Sequence, residues 1–135
     1  MRLFLYILLA ALSDPSAFSF RNIGVEHGLS SNTVSSICQD RQGNIWFATK
    51  GGVNCYNGYD VEVYRYGSDD VNTVQSNNVN RVFTDWEGTV WACSSDGISR
   101  FDRNAGCFRR GDLPGIHSVE DMLQIARCRY LGCTR

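Results

Sequence analysis

The chain has 135 residues, of which 43% are hydrophobic, 12% aromatic and 20% charged, a composition that excludes intrinsic disorder, a collagen-like fibre and a multi-span membrane protein. Its 13 Lys and Arg against 14 Asp and Glu give a net charge of −1. No surplus of cations is left to neutralise a nucleic-acid backbone or an anionic membrane, so direct nucleic-acid binding is not expected.

From the N-terminus, Met1-Arg2 precedes an uncharged run from Leu3 to Leu12 and then small residues up to Ser19. One cation, a short apolar core and small side chains are the pattern of a secretory signal peptide, expected over residues 1–19. The run is too short to span a bilayer, and no other membrane span is expected. Ala17 and Ser19 suit a cut before Phe20, while Ala11 and Ser13 allow an earlier one. The first thiol is Cys38, too far from the apolar run to accept a lipid. The expected location is therefore periplasmic or extracytoplasmic.

After residues 20–30, an opening strand and loop, the sequence repeats. Residues 31–57 lie without a gap over residues 76–102, sharing Ser31/Ser76, Asn32/Asn77, Val34/Val79, Asp40/Asp85, Gly43/Gly88, Trp46/Trp91 and Gly52/Gly97. Short runs of strand length fall at Val34 to Gln39, Ile45 to Thr49, Val53 to Tyr56 and Val61 to Tyr66, separated by turn residues. Four such runs in one repeat predict a four-stranded antiparallel blade of an all-β propeller, with blades at 31–75 and 76–115. No helix is expected after the signal peptide. A weaker copy, the truncated start of a third blade, runs over 116–135 and places Val119, Met122, Thr134 and Arg135 where Val34, Ile37, Thr49 and Lys50 stand. Ile125, Cys128 and Leu131 replace its Asp, Gly and Trp. An aromatic-Arg pair also recurs, as Phe20-Arg21, Tyr64-Arg65 and Phe108-Arg109.

The repeated Asp-x-x-Gly-x-(Ile/Val)-Trp has a structural explanation. Asp can accept bonds from the backbone N–H groups that follow it, Gly can take a positive φ, and together they close a tight hairpin. The Trp then buries its ring between blades. A residue needed for one chemical act has no reason to recur in every blade, so Asp40, Asp85, Trp46 and Trp91 are read as structural. The six cysteines, Cys38, Cys55, Cys93, Cys107, Cys128 and Cys133, form no CxxC pair and support neither a zinc site nor a thioredoxin-like motif. With Phe83 standing opposite Cys38 in the repeat, most read as small apolar fillers.

The run Glu26-His27-Gly28-Leu29-Ser30-Ser31-Asn32-Thr33-Val34, then Asp40-Arg41-Gln42-Gly43-Asn44-Ile45-Trp46 and Gly51-Gly52-Val53-Asn54, resembles the two-component regulator propeller over roughly residues 18–135. That resemblance implies the periplasmic sensor region of a Bacteroidetes-type hybrid two-component system histidine kinase. There, a glycan or oligosaccharide bound outside controls polysaccharide-utilisation genes inside. It also implies that the kinase domain is absent from these residues and that the chain itself is no enzyme.

A propeller closes with about four to eight blades, so two blades and part of a third are expected to be a fragment whose partner is the rest of the ring. Residues Phe18 to Ile23 would supply a strand to the last blade. Exposed blade faces could also support a homodimer. No catalytic, cofactor or metal residue is assigned. Glu26, Glu62, Asp69, Asp70, His27 and His117 are the candidates for acid-base chemistry, and all read as surface groups. Specificity is expected where the copies differ: Lys50-Gly51 against Ser95-Asp96, and Arg41 against Trp86. Trp86 could stack on a sugar or pack on its own blade. The alternatives are a fragment of an exported propeller-scaffold glycosidase or lyase, whose carboxylates would converge from different blades, or a purely structural repeat.

Overall fold

The computed structural model describes residues 19–111. The expected signal peptide, apart from Ser19, and the third copy with His117, Cys128 and Cys133 lie outside them. A single 3₁₀ turn at Val25–His27 precedes eight strands. These are β1 (Val34–Gln39), β2 (Ile45–Thr49), β3 (Gly52–Tyr56), β4 (Val61–Tyr64), β5 (Val79–Thr84), β6 (Val90–Ser94), β7 (Gly97–Asp102) and β8 (Cys107–Arg110). They form two antiparallel sheets in the orders β1-β2-β3-β4 and β5-β6-β7-β8. The chain is all-β, and each sheet is one propeller blade.

The pleat sorts side chains into two faces. In the first blade the pairing of Ser36 with Ala48, Ala48 with Val53 and Val53 with Tyr64 places these residues in one row, with Trp46 two residues from Ala48 on the same face. In the second blade Val82 pairs with Ala92, and Phe101 with Phe108. These two faces meet, burying Trp46, Ala48, Val53, Val82, Val90, Ala92 and Phe108 in one core, with Tyr64 and Phe101 packed against it. Trp46 lies 4.8 Å from Phe101 and 5.9 Å from Phe108, both edge-on, and 5.8 Å from Tyr64 in a stacked pair. Burying such a ring contributes about 4–6 kcal/mol of transfer free energy before ordering entropy is subtracted.

The innermost strands are also stitched by hydroxyls. Both β1 and β5 carry a register shift, between Val34 and Ser36 and between Val79 and Arg81. Ser35, in the first of these bulges, donates to the carbonyl oxygens of Ala48 (3.1 Å) and Val79 (2.7 Å), and Ser36 donates to Val82 O at 3.1 Å. A bulge re-aims a side chain out of the ladder, and here it sends a hydroxyl across to the next blade.

One expectation needs correction. The fourth run ends at Tyr64, not Tyr66, because Tyr66 N leaves the sheet and donates to Asn77 Oδ1 at 2.8 Å. The aromatic-Arg recurrence is one of sequence, not of register. Cys55 pairs with Glu62, but its counterpart Arg100 pairs with Arg109, because the β7–β8 hairpin is one residue pair longer, closed by Asp102 opposite Cys107. Tyr64 and Phe108, 44 residues apart in a repeat of 45, fall on opposite faces of their own sheets and point from facing blades toward each other, with rings 5.2 Å apart. Residues 19–23, the described part of the Phe18-to-Ile23 segment expected to supply a strand to a last blade, have no partner strand among the described residues.

Candidate functional site

Each blade has two ends. The β1–β2 and β3–β4 turns lie at one, the β2–β3 turn at the other, separated by a five-residue strand of about 16 Å. The expected specificity positions are split between them. Arg41 and Trp86 sit at the first end, Lys50 and Ser95-Asp96 at the second, all exposed except the half-buried Gly51. They do not form one surface.

At the first end, Asp40 organises its hairpin. Its Oδ1 accepts from Gln42 N (2.9 Å) and Asn44 N (3.0 Å), and its Oδ2 accepts from Asn44 Nδ2 and Trp46 Nε1, both at 3.0 Å. Gly43 takes φ 88°, the left-handed turn that only glycine adopts without strain. Asp85 repeats the device, accepting from Glu87 N (2.9 Å), Thr89 N (2.8 Å) and Trp91 Nε1 (2.9 Å). Burial works to raise the Asp40 pKa, but the bonds from Trp46, Asn44 and Gln42 outweigh it and hold the carboxyl below its ordinary value of 3.8.

Arginines then join the hairpins of neighbouring blades. Arg41 Nη2 donates to the Trp86 carbonyl. Arg103, from the β7–β8 turn, donates to Gln42 Oε1 and to Gly88 O (3.1 Å), and stands 3.5 Å from Asp40 Oδ2. The Trp86 side chain itself is 59% exposed.

Between these turns lies a cleft of about 320 Å³. Trp46, Cys55, Tyr64 and Phe101 form its floor, and Asn44, Asn57, Glu62 and Arg103 stand around it. Burial, helped by the neighbouring Glu62 carboxylate, raises the Tyr64 pKa. Burial, helped by the charges of Asp40 and Glu62, pushes the Cys55 thiol up to about 11. A thiol so raised stays protonated near neutrality and is a poor nucleophile or metal ligand.

The acid-base candidates fall on separate segments: Glu26 and His27 on the 3₁₀ turn, Asp69 and Asp70 on the linker between blades, Glu62 on β4. Among the described residues no group of three or more His, Cys, Asp or Glu is placed to hold a metal. Cys38, Cys55, Cys93 and Cys107 are free thiols, and Cys93 is fully buried beside Ile98.

One repeated device escaped the sequence reading. Buried Asn54 accepts from Ser30 N at 2.8 Å, and buried Ser99 accepts from Gln75 N at 2.9 Å. Each pins the segment entering its blade, next to a buried plug, Leu29 in one and Val74 in the other. The residue types differ, but the even spacing of 30/75 and 54/99 at the repeat length was the available signal.

Residues 28–51, which span the Leu29 plug, the Asp40 hairpin and Trp46, match the family model described as two component regulator propeller. That stretch is similar to a two-component regulator propeller repeat. The chain is 29% identical over 72 residues to histidine kinase P4 of Formosa agariphila, covering 53% of this chain and 5% of the kinase. It is 33% identical to the extracellular domain of a hybrid two component system of B. thetaiotaomicron, with a TM-score of 0.60 over 67% of this chain and 13% of that one. A second extracellular domain from the same organism, described as part of a one component system, shares the fold at 23% identity, with a TM-score of 0.57 over 68% of this chain and 13% of that one. The chain thus spans a small part of each relative's length. Among the described residues no helix is long and apolar enough to cross a membrane.

Proposed function

We propose that the chain is part of an extracytoplasmic, ligand-binding propeller that serves as the sensor of a hybrid two-component regulator, with a glycan or oligosaccharide as its ligand. The observation that carries this reading is the likeness to a hybrid two component system's extracellular domain across both blades, 33% identical with a TM-score of 0.60. The fold suits the task, because stacked blades present turns of variable sequence on a rigid sheet framework. In a complete receptor these blades would act with the rest of the ring, and blade faces or ends would serve a homodimer. Signalling to transcription would belong to parts outside these residues, and the blades themselves perform no chemistry.

Two measurements test the reading. A fusion of residues 1–30 to alkaline phosphatase should be active only if exported, and an inactive but expressed fusion contradicts the location. A thermal-shift screen of the 135-residue chain against neutral and acidic oligosaccharides should raise the melting temperature for at least one, since a ligand that binds only the folded state stabilises it. No shift with any of them contradicts saccharide sensing.

A further inference from the structure

We propose that the cleft between the two blades, at the end carrying the β1–β2 turn, binds a neutral saccharide. This rests on the ligand-binding reading above and gives it a place. Small-molecule sites are concave, largely aromatic or apolar, carry a few fixed polar groups and occupy about 300–1,000 Å³. The cleft, at about 320 Å³, lies at the lower end of that range. Its floor presents the half-buried rings of Tyr64 and Phe101, 5.4 Å apart at 72°, an apolar corner against which the C–H face of a pyranose can pack. Asn44, Asn57, Glu62 and Arg103 surround it. Amides both donate and accept, as sugar hydroxyls do.

These polar groups are already held. Asn44 is bonded to Asp40, Asn57 Oδ1 accepts from Tyr59 N and Asp60 N, both at 2.9 Å, and Arg103 is bonded to Gln42 and Gly88. Fixed partners reduce the ordering entropy lost on binding. Arg103 faces Asp40 at 3.5 Å, so its charge is largely answered, and Glu62 leaves the cleft locally negative. Carboxylated or sulfated sugars are disfavoured for that reason.

Building a blade does not require this lining. By register, Arg100 and Arg109 stand in the second blade where Cys55 and Glu62 stand in the first. The chemistry is particular to this junction, and both of its walls lie within the described residues. The other hollow, about 420 Å³ beside the linker, ends at Gly111, the last described residue, and carries no comparable argument.

The test is isothermal titration of the 135-residue chain with maltose, cellobiose, xylobiose, mannobiose and lactose, and with a glucuronic acid-containing disaccharide for comparison. Circular dichroism checks the fold of each variant. Saturable binding of at least one neutral disaccharide is expected, weakened tenfold or more by Glu62→Ala and by Asn57→Ala, and unchanged by Asn80→Ala, an exposed residue at the opposite end. Binding that survives both cleft substitutions, or is lost with Asn80→Ala, overturns this site but leaves saccharide sensing in place. Binding of the acidic disaccharide alone does the same. Binding of none of them overturns the site, and sensing then stands or falls on the wider thermal-shift screen.

Discussion

At the residue scale the blade is organised by a carboxylate whose lone pairs are nearly all assigned. Asp40 closes the turn through the backbone and holds the indole N–H of Trp46 through the same side chain, which itself is 0% exposed. Trp46→Phe keeps most of the buried ring but leaves Oδ2 short of a donor in a buried place, so it should cost about 1–3 kcal/mol in urea unfolding. Trp91→Phe should cost less, because Asp85 is only half-buried. Because the Asp40 pKa lies below its ordinary 3.8 in the folded state, its contribution is present above that value and is lost as pH falls through the folded one. The unfolding midpoint should therefore drop between pH 5 and pH 2.5 more steeply in the wild type than in Asp40→Asn. Asp102, also lowered, by its bond from Arg109, is half-buried in an ion pair whose arginine is exposed, and such a solvent-screened pair adds little to this limb. Asp, Gly and Trp were legible in the sequence because both blades use the same residues. That the indole N–H completes the carboxylate's shell was not legible, since spacing alone does not show where a ring nitrogen points. Asn54 and Ser99 were missed because two different polar side chains perform one task.

At the scale of the element, strand positions followed from alternation and turn residues, and three of the first blade's runs end where the sequence placed them. Register was harder. The aromatic-Arg pairs look equivalent, yet Tyr64 and Phe108 are 44 residues apart in a repeat of 45, and that odd displacement, with the two residues added by the longer β7–β8 hairpin, puts them on opposite faces of their own sheets. A displacement by an odd number of residues flips every side chain, and periodicity within one strand cannot detect it. Turn geometry gives a sharper test. At Gly52, φ is 129° and an added Cβ would stand 2.4 Å from the Tyr64 carbonyl oxygen, whereas at Gly43, φ 88°, the nearest neighbour is Gln39 Nε2 at 4.0 Å. Gly43→Ala should cost about 1 kcal/mol of backbone strain. Gly52→Ala should cost clearly more, because β4 must move away from β3, and equal losses in the two variants would contradict this pairing. Burial pushes the Cys93 thiol on β6 up to about 11, so it should resist iodoacetamide at pH 7.5 until urea unfolds the sheet. Rapid labelling at Cys93 in the native chain, read by peptide mass spectrometry apart from the less buried Cys38, Cys55 and Cys107, would contradict its burial.

At the scale of the molecule the two blades are neighbours joined by an aromatic core, serine bridges between inner strands and arginine clasps between turns. The first blade's other face leaves Ile37 60% exposed, and Phe20 is 96% exposed on the segment before it. Surfaces of that kind in a repeat protein are where further repeats or copies pack. The most direct measurement of the account is a set of nuclear Overhauser contacts in the isotope-labelled chain. Stacked blades predict cross-peaks from the Trp46 indole to the rings of Phe101 and Phe108, which belong to the other sheet and stand 4.8 and 5.9 Å away. A folded chain in which Trp46 shows contacts only within residues 34–64 would contradict it.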